Sequence, residues 1–140
     1  MGFSCHSRKM SLLCVWLTIA ILISGYPVKH TLAENLSVTE NNLKVTYNIV
    51  NAWGNCSQAE VSIENVGEAA INGWQIEFLF DSTSTISSIW NAVAISSEMG
   101  ENSKIVVQNE TYNASINPTC STSFGMIIQG AADEIPEIHV

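Results

Sequence analysis

Leu43-Lys44-Val45-Thr46-Tyr47-Asn48-Ile49 alternates apolar and polar residues without a break. In an extended chain successive side chains point to opposite faces, so this stretch predicts a strand with one buried face. The pattern recurs downstream. Ala59, Val61 and Ile63 alternate with Glu60, Ser62 and Glu64, and Trp74, Ile76, Phe78 and Phe80 take every second position. Ile105 and Val107, then Phe124, Met126 and Ile128, then Ile138 and Val140 repeat it. Asn65-Val66-Gly67, Asn72-Gly73, Met99-Gly100-Glu101-Asn102 and Asn117-Pro118 punctuate the runs with turn-forming residues. No segment carries a capped helical period. Many short strands joined by short turns predict an all-β antiparallel β-sandwich. Glu34 to Asn41 is polar and is expected to be a short disordered lead-in.

Upstream of that lead-in the composition changes. Arg8 and Lys9 precede the apolar run Ser11–Gly25, which has the length of a signal-peptide core and is short for a bilayer span. Thr31-Leu32-Ala33 offers small residues at the positions a signal peptidase inspects. Residues 1–33 are therefore expected to be a signal peptide cleaved after Ala33, and residues 34–140 the mature, secreted domain. The alternative is an uncleaved membrane anchor. All 13 acidic residues lie after Ala33, against only Lys44 and Lys104, which leaves a mature net charge of −11. Such a surface lacks the basic footprint that nucleic acid or anionic lipid requires. It favours solubility and a neutral or cationic partner.

Cys56 and Cys120 remain in the mature segment. In an oxidising compartment they could form one disulfide, which would contribute about 4 kcal/mol in the chain-entropy model. Two free thiols are the alternative. Two cysteines without a neighbouring histidine make a poor zinc site, so no metal or cofactor is expected.

Catalytic chemistry is thinly supplied. His139, one residue from the C-terminus, is the only mature histidine. A Ser–His–Asp arrangement would have to use it. Paired carboxylates can hydrolyse glycosides, but here the acids mostly alternate with apolar residues, as on a solvated strand face. A copper oxidase acting on polysaccharide would want a histidine at the mature N-terminus. His30 could be first only if cleavage followed Lys29, a bond without small residues before it.

The aromatic residues say more. Trp74 leads the alternating run to Phe80 and should point into the core. Trp53 lies in Asn51-Ala52-Trp53-Gly54-Asn55, read as a polar turn after a strand. Trp90 follows Ile89, the better core candidate, and precedes Asn91. Tyr112 lies in Asn109-Glu110-Thr111-Tyr112-Asn113. Exposed rings in polar surroundings suggest a binding surface. The apolar face of a sugar ring stacks on such rings, and asparagine amides can meet its hydroxyls. Burial of the three rings under loops is the competing explanation.

Tyr47-Asn48-Ile49-Val50-Asn51-Ala52-Trp53-Gly54, Val61–Gly67, Ala70-Ile71-Asn72-Gly73-Trp74, Ile86–Asn91, Tyr112–Ile116 and Ser121–Gly125, in that order, resemble family 2 carbohydrate-binding modules. The likeness runs from about Lys44 to the end of the chain. It implies a jelly-roll or immunoglobulin-like sandwich of about nine strands, binding to crystalline cellulose (sometimes chitin or xylan) and no catalysis. It assigns the platform rings to Trp53, Trp90 and Tyr112, their polar neighbours to Asn51, Asn91 and Asn113, and a core tryptophan to Trp74. Three departures stand out. The family often ties its termini with a disulfide, and no cysteines stand there. If Cys56 and Cys120 pair instead, they would pin two loops that carry platform rings. The third platform ring is tyrosine rather than the usual tryptophan. Cys56 occupies the position, three after the first platform tryptophan, where glycine marks cellulose binders and arginine marks xylan binders. An adhesion module binding protein at a cell surface is the alternative function. Asn35, Asn55, Asn109 and Asn113 each begin a glycosylation sequon.

Overall fold

The computed structural model of the protein describes residues 35–130 and 132–140. The expected signal peptide and its cleavage site lie outside the described residues. Among the described residues there are eleven strands: β1 (Asn35–Glu40), β2 (Leu43–Trp53), β3 (Cys56–Asn65), β4 (Ile71–Asn72), β5 (Gln75–Phe80), β6 (Thr85–Trp90), β7 (Ala92–Glu98), β8 (Ser103–Asn109), β9 (Ser115–Ile116), β10 (Ser121–Gln129) and β11 (Glu137–His139). Nine were expected; β4 and β9 are a two-residue pair of their own. A five-stranded sheet runs β1-β2-β3-β10-β6 and a four-stranded sheet runs β11-β5-β8-β7, with every pairing antiparallel. The fold is the antiparallel β-sandwich that the alternation predicts.

The alternating apolar residues meet between the two sheets. Val45, Tyr47, Val61, Ile63, Phe124, Met126 and Ile128 come from one sheet. Ile76, Phe78, Phe80, Ile105, Val107 and Ile138 come from the other, and all are buried. Phe78 links the layers: its ring lies 5.9 Å from that of Tyr47 and 6.3 Å, edge-on, from that of Phe124. Burying each such side chain contributes about 1.5–3 kcal/mol.

Two expectations change here. The segment read as a lead-in, Glu34 to Asn41, contains β1, an edge strand in register with β2 through Leu36↔Tyr47 and Val38↔Val45. Leu36 and Val38 pack against the core. Their alternation is diluted by polar residues, and the turn that joins β1 to β2 is Asn41-Asn42. Both of these asparagines have positive φ, 51° and 66°, as a type I′ hairpin requires. Asparagine tolerates that conformation better than most residues, so the turn forms without glycine.

The second correction concerns the cysteines. Cys56 and Cys120 are both free. Cys56 pairs with Gln129 at one end of the β3–β10 ladder. Cys120 lies at the other end, where its carbonyl accepts the backbone N–H of Asn65. Nine residues of extended chain separate the two ends, about 30 Å at strand pitch. A disulfide needs Cα atoms within about 7 Å. The antiparallel register of β3 and β10 therefore keeps the two thiols apart.

Candidate carbohydrate-binding face

Two β-bulges decide where the tryptophans point. In β2, Leu43, Val45 and Tyr47 face the core, so uninterrupted alternation would turn Trp53 inward as well. The ladder shifts between Ile49↔Ala59 and Asn51↔Gln58, which leaves Val50 as the extra residue. Beyond it Ala52 opposes the buried Ser57, and Trp53 opposes Cys56. Directly opposed residues share a face, and Cys56 lies on the outer face with Gln58 and Glu60. The bulge has thus inverted the parity of β2. Trp53 stands on the outer face, 45% exposed. It is the last residue of the strand rather than part of the turn. Gly54, with φ of 57°, then closes the hairpin.

The second bulge is in β6. Met126 pairs with Ile89 and Ile127 with Ser88, but Ile128 pairs with Ile86. Ser87 is the extra residue, and its hydroxyl donates to the Ile127 carbonyl at 3.3 Å. Ile86 and Ile89 both pack on the core. Trp90 faces outward opposite Gly125, 40% exposed. Bulges commonly re-aim side chains in this way. Trp53 and Trp90 therefore share the outer face of the five-stranded sheet. Three strand spacings across and four residues along separate them, about 20 Å. Between them the same face carries Asn51, Gln58, Glu60, Ile127 and Gln129, by their register positions. Sequence reasoning named only Asn51 of these. The others become neighbours only once β3 pairs with β10, although their outward parity is visible in the alternation.

Tyr112 is held separately. It lies on a 3-10 turn, Thr111–Asn113, between β8 and β9, and is 73% exposed. Its hydroxyl donates to Oδ1 of Asn91 at 2.9 Å. Asn91 follows Trp90 directly and has a φ of 62°, a left-handed corner that asparagine accommodates. Asn91 is exposed, as expected of a polar neighbour. Asn113 is not. It is buried, and its Nδ2 donates to the Asn91 carbonyl at 2.7 Å. Its own carbonyl accepts Trp74 Nε1 at 3.0 Å. Asn113 is thus a strut between the core and the Trp90–Asn91 corner, reassigned from the surface because its amide is needed inside. Trp74 is buried, as its alternation predicts, and stacks on Phe124 at 5.5 Å.

His139 is exposed on β11, with Nε2 3.3 Å from the Glu137 carboxylate. Among the described residues no three His, Cys, Asp or Glu side chains converge as a metal site would need. Asn109 and Asn113 use their amides internally, whereas Asn35 and Asn55 are exposed.

A family model described as "Cellulose binding domain" matches residues 43–139. Endoglucanase A of Thermobispora bispora is 34% identical over 87 residues, covering 62% of this chain and 18% of that protein. Endo-1,4-beta-xylanase A of Cellvibrio japonicus is 31% identical over 111 residues, covering 78% of this chain and 16% of that protein. The chain thus spans less than a fifth of the length of either relative. Two solved structures share the fold. The chitin-binding domain of Chi18aC from Streptomyces coelicolor superposes with a TM-score of 0.56 at 20% identity, over 70% of this chain and 90% of that one. The cellulose-binding family 2 carbohydrate-binding domain from ScLPMO10C superposes with a TM-score of 0.54 at 23% identity, over 71% and 92%.

Proposed function

The chain belongs to the cellulose binding domain family over residues 43–139, and from that membership we propose that it is a secreted, non-catalytic module that binds the surface of insoluble polysaccharide, crystalline cellulose first. One observation carries the assignment to a particular surface. Two independent bulges turn Trp53 and Trp90 out onto one sheet face, and Tyr112 is tethered beside Trp90 through Asn91. Large exposed rings cost solubility unless a ligand covers them. Apart from Cys56 and Ile127 the face between the tryptophans is polar, and Glu60 carries its charge, which suits hydroxyl-rich chains. The strong negative charge does not oppose a neutral glucan. Trp53, Trp90 and Tyr112 would stack on sugar rings, and Asn51 and Asn91 would meet hydroxyls. Removal of residues 1–33 on export belongs to the same proposal. A catalytic domain attached to such a module would gain effective concentration at its substrate.

Binding to microcrystalline cellulose, xylan and chitin, compared by depletion isotherms, tests the reading. Cellulose is expected to bind most tightly. Trp90→Ala should weaken that binding by at least about 2 kcal/mol, roughly thirtyfold, as loss of an aromatic anchor does, with the thermal midpoint little changed. Unchanged binding in that variant would remove the platform assignment. Stronger retention on chitin would move the ligand to that polymer. No retention on any of the three, with a protein partner captured instead, would favour the adhesion reading.

A further inference from the structure

Gly125 lies in the interior of β10, between Phe124 and Met126, which both face the core. It therefore faces outward, directly opposite Trp90. Nevertheless it is buried, because the indole covers it. A Cβ built on Gly125 would sit 2.1 Å from Cζ2, 2.3 Å from Cε2 and 2.6 Å from Nε1 of Trp90. Any other residue would occupy the space in which the ring lies.

The backbone offers no other reason for glycine here. The glycines with positive φ are Gly54, Gly73 and Gly130, not Gly125. Glycine inside a strand is unfavourable and often marks a close approach. The approaching group is a side chain rather than fixed backbone, and Trp90 is 40% exposed with solvent on its far side. A clash would therefore be relieved by rotating the ring to another rotamer, not by opening the sandwich.

We propose that Gly125 is a positioning residue: it seats the Trp90 indole down on the backbone of β10 and so fixes the attitude of the ring face offered to polysaccharide. This rests on the platform reading above. Gly125 itself touches no ligand and acts only through Trp90.

The test uses the purified protein, microcrystalline cellulose and three variants: Gly125→Ala, Trp90→Ala and the double variant. Gly125→Ala should bind about tenfold more weakly, with a thermal midpoint equal to or above wild type and a shifted Trp90 indole N–H resonance. The double variant should bind as Trp90→Ala alone does, because a seat without its ring has nothing to position. Wild-type binding by Gly125→Ala, while Trp90→Ala binds poorly, overturns the proposal and leaves the platform standing. An equal further loss when Gly125→Ala is added to Trp90→Ala also overturns it, as does unfolding of Gly125→Ala. Wild-type binding by Trp90→Ala removes the platform reading and this proposal with it.

Discussion

Asn91 shows how much one residue can hold at this face. Its positive φ turns the chain from β6 into β7. Its side chain accepts the Tyr112 hydroxyl, and its carbonyl accepts the buried Asn113 amide. The rings on either side of it are therefore placed by a continuous set of bonds reaching Trp74 in the core. A residue with the opposite character is Tyr47. Its ring packs on Phe78, but its hydroxyl is buried with no hydrogen-bond partner among the described residues. Burial, reinforced by the charge of Glu134, pushes that hydroxyl well above the ordinary tyrosine pKa, so it stays neutral across the physiological range. An unmade hydrogen bond costs more than an absent one. Tyr47→Phe should therefore raise stability by about 1 kcal/mol, read as a higher denaturation midpoint with an unchanged slope. A fall of similar size would show that the hydroxyl has a partner.

Among the elements, β2 carries the decisive feature. Its first half buries alternate side chains and its second half exposes the same parity, with Val50 as the hinge between them. Val50 is itself exposed and makes no claim on the core. Deleting Val50 should remove the bulge yet keep Asn51 opposite Gln58 and Trp53 opposite Cys56, so that the ring stays on the outer face. The deletion is therefore expected to keep both cellulose binding and the tryptophan fluorescence accessible to a soluble quencher near their wild-type levels. Binding as weak as that of Trp53→Ala, together with reduced quenching, would mean that the hairpin re-registers and that Trp53 turns inward. β6 repeats the device with Ser87. That two strands use the same irregularity to the same end explains why the outer face holds both tryptophans while Ile86 and Ile89 stay with the core.

At the scale of the whole molecule, stability comes from the two-sheet core and not from a covalent link between its ends. Labelling of the folded protein with a maleimide, followed by peptide mapping, should find Cys120 modified first, Cys56 more slowly, and no peptide pair joined through these residues. A joined pair would require a register other than the one found for β3 and β10. The layered architecture and the identity of the core were legible in the chain itself. Period-two alternation is a local property, and it places Val45, Tyr47, Trp74, Phe78 and Phe124 inside whatever their partners turn out to be. The polar settings of Trp53, Trp90 and Tyr112 were legible for the same reason, as was the acidic surface. What the chain could not disclose depends on pairing between distant strands. Whether Trp53 faces outward is set by a register shift against β3. The closeness of Tyr112 to Asn91 and the burial of Asn113 depend on where β8 and β9 meet the end of β6. The separation of Cys56 from Cys120 follows from β3 and β10 running antiparallel. Gly125 reads as an ordinary strand residue until β6 lies beside it. Alternation assigns each residue a face of its own strand. Only the assembled sheet decides which neighbour shares that face, and how closely it approaches.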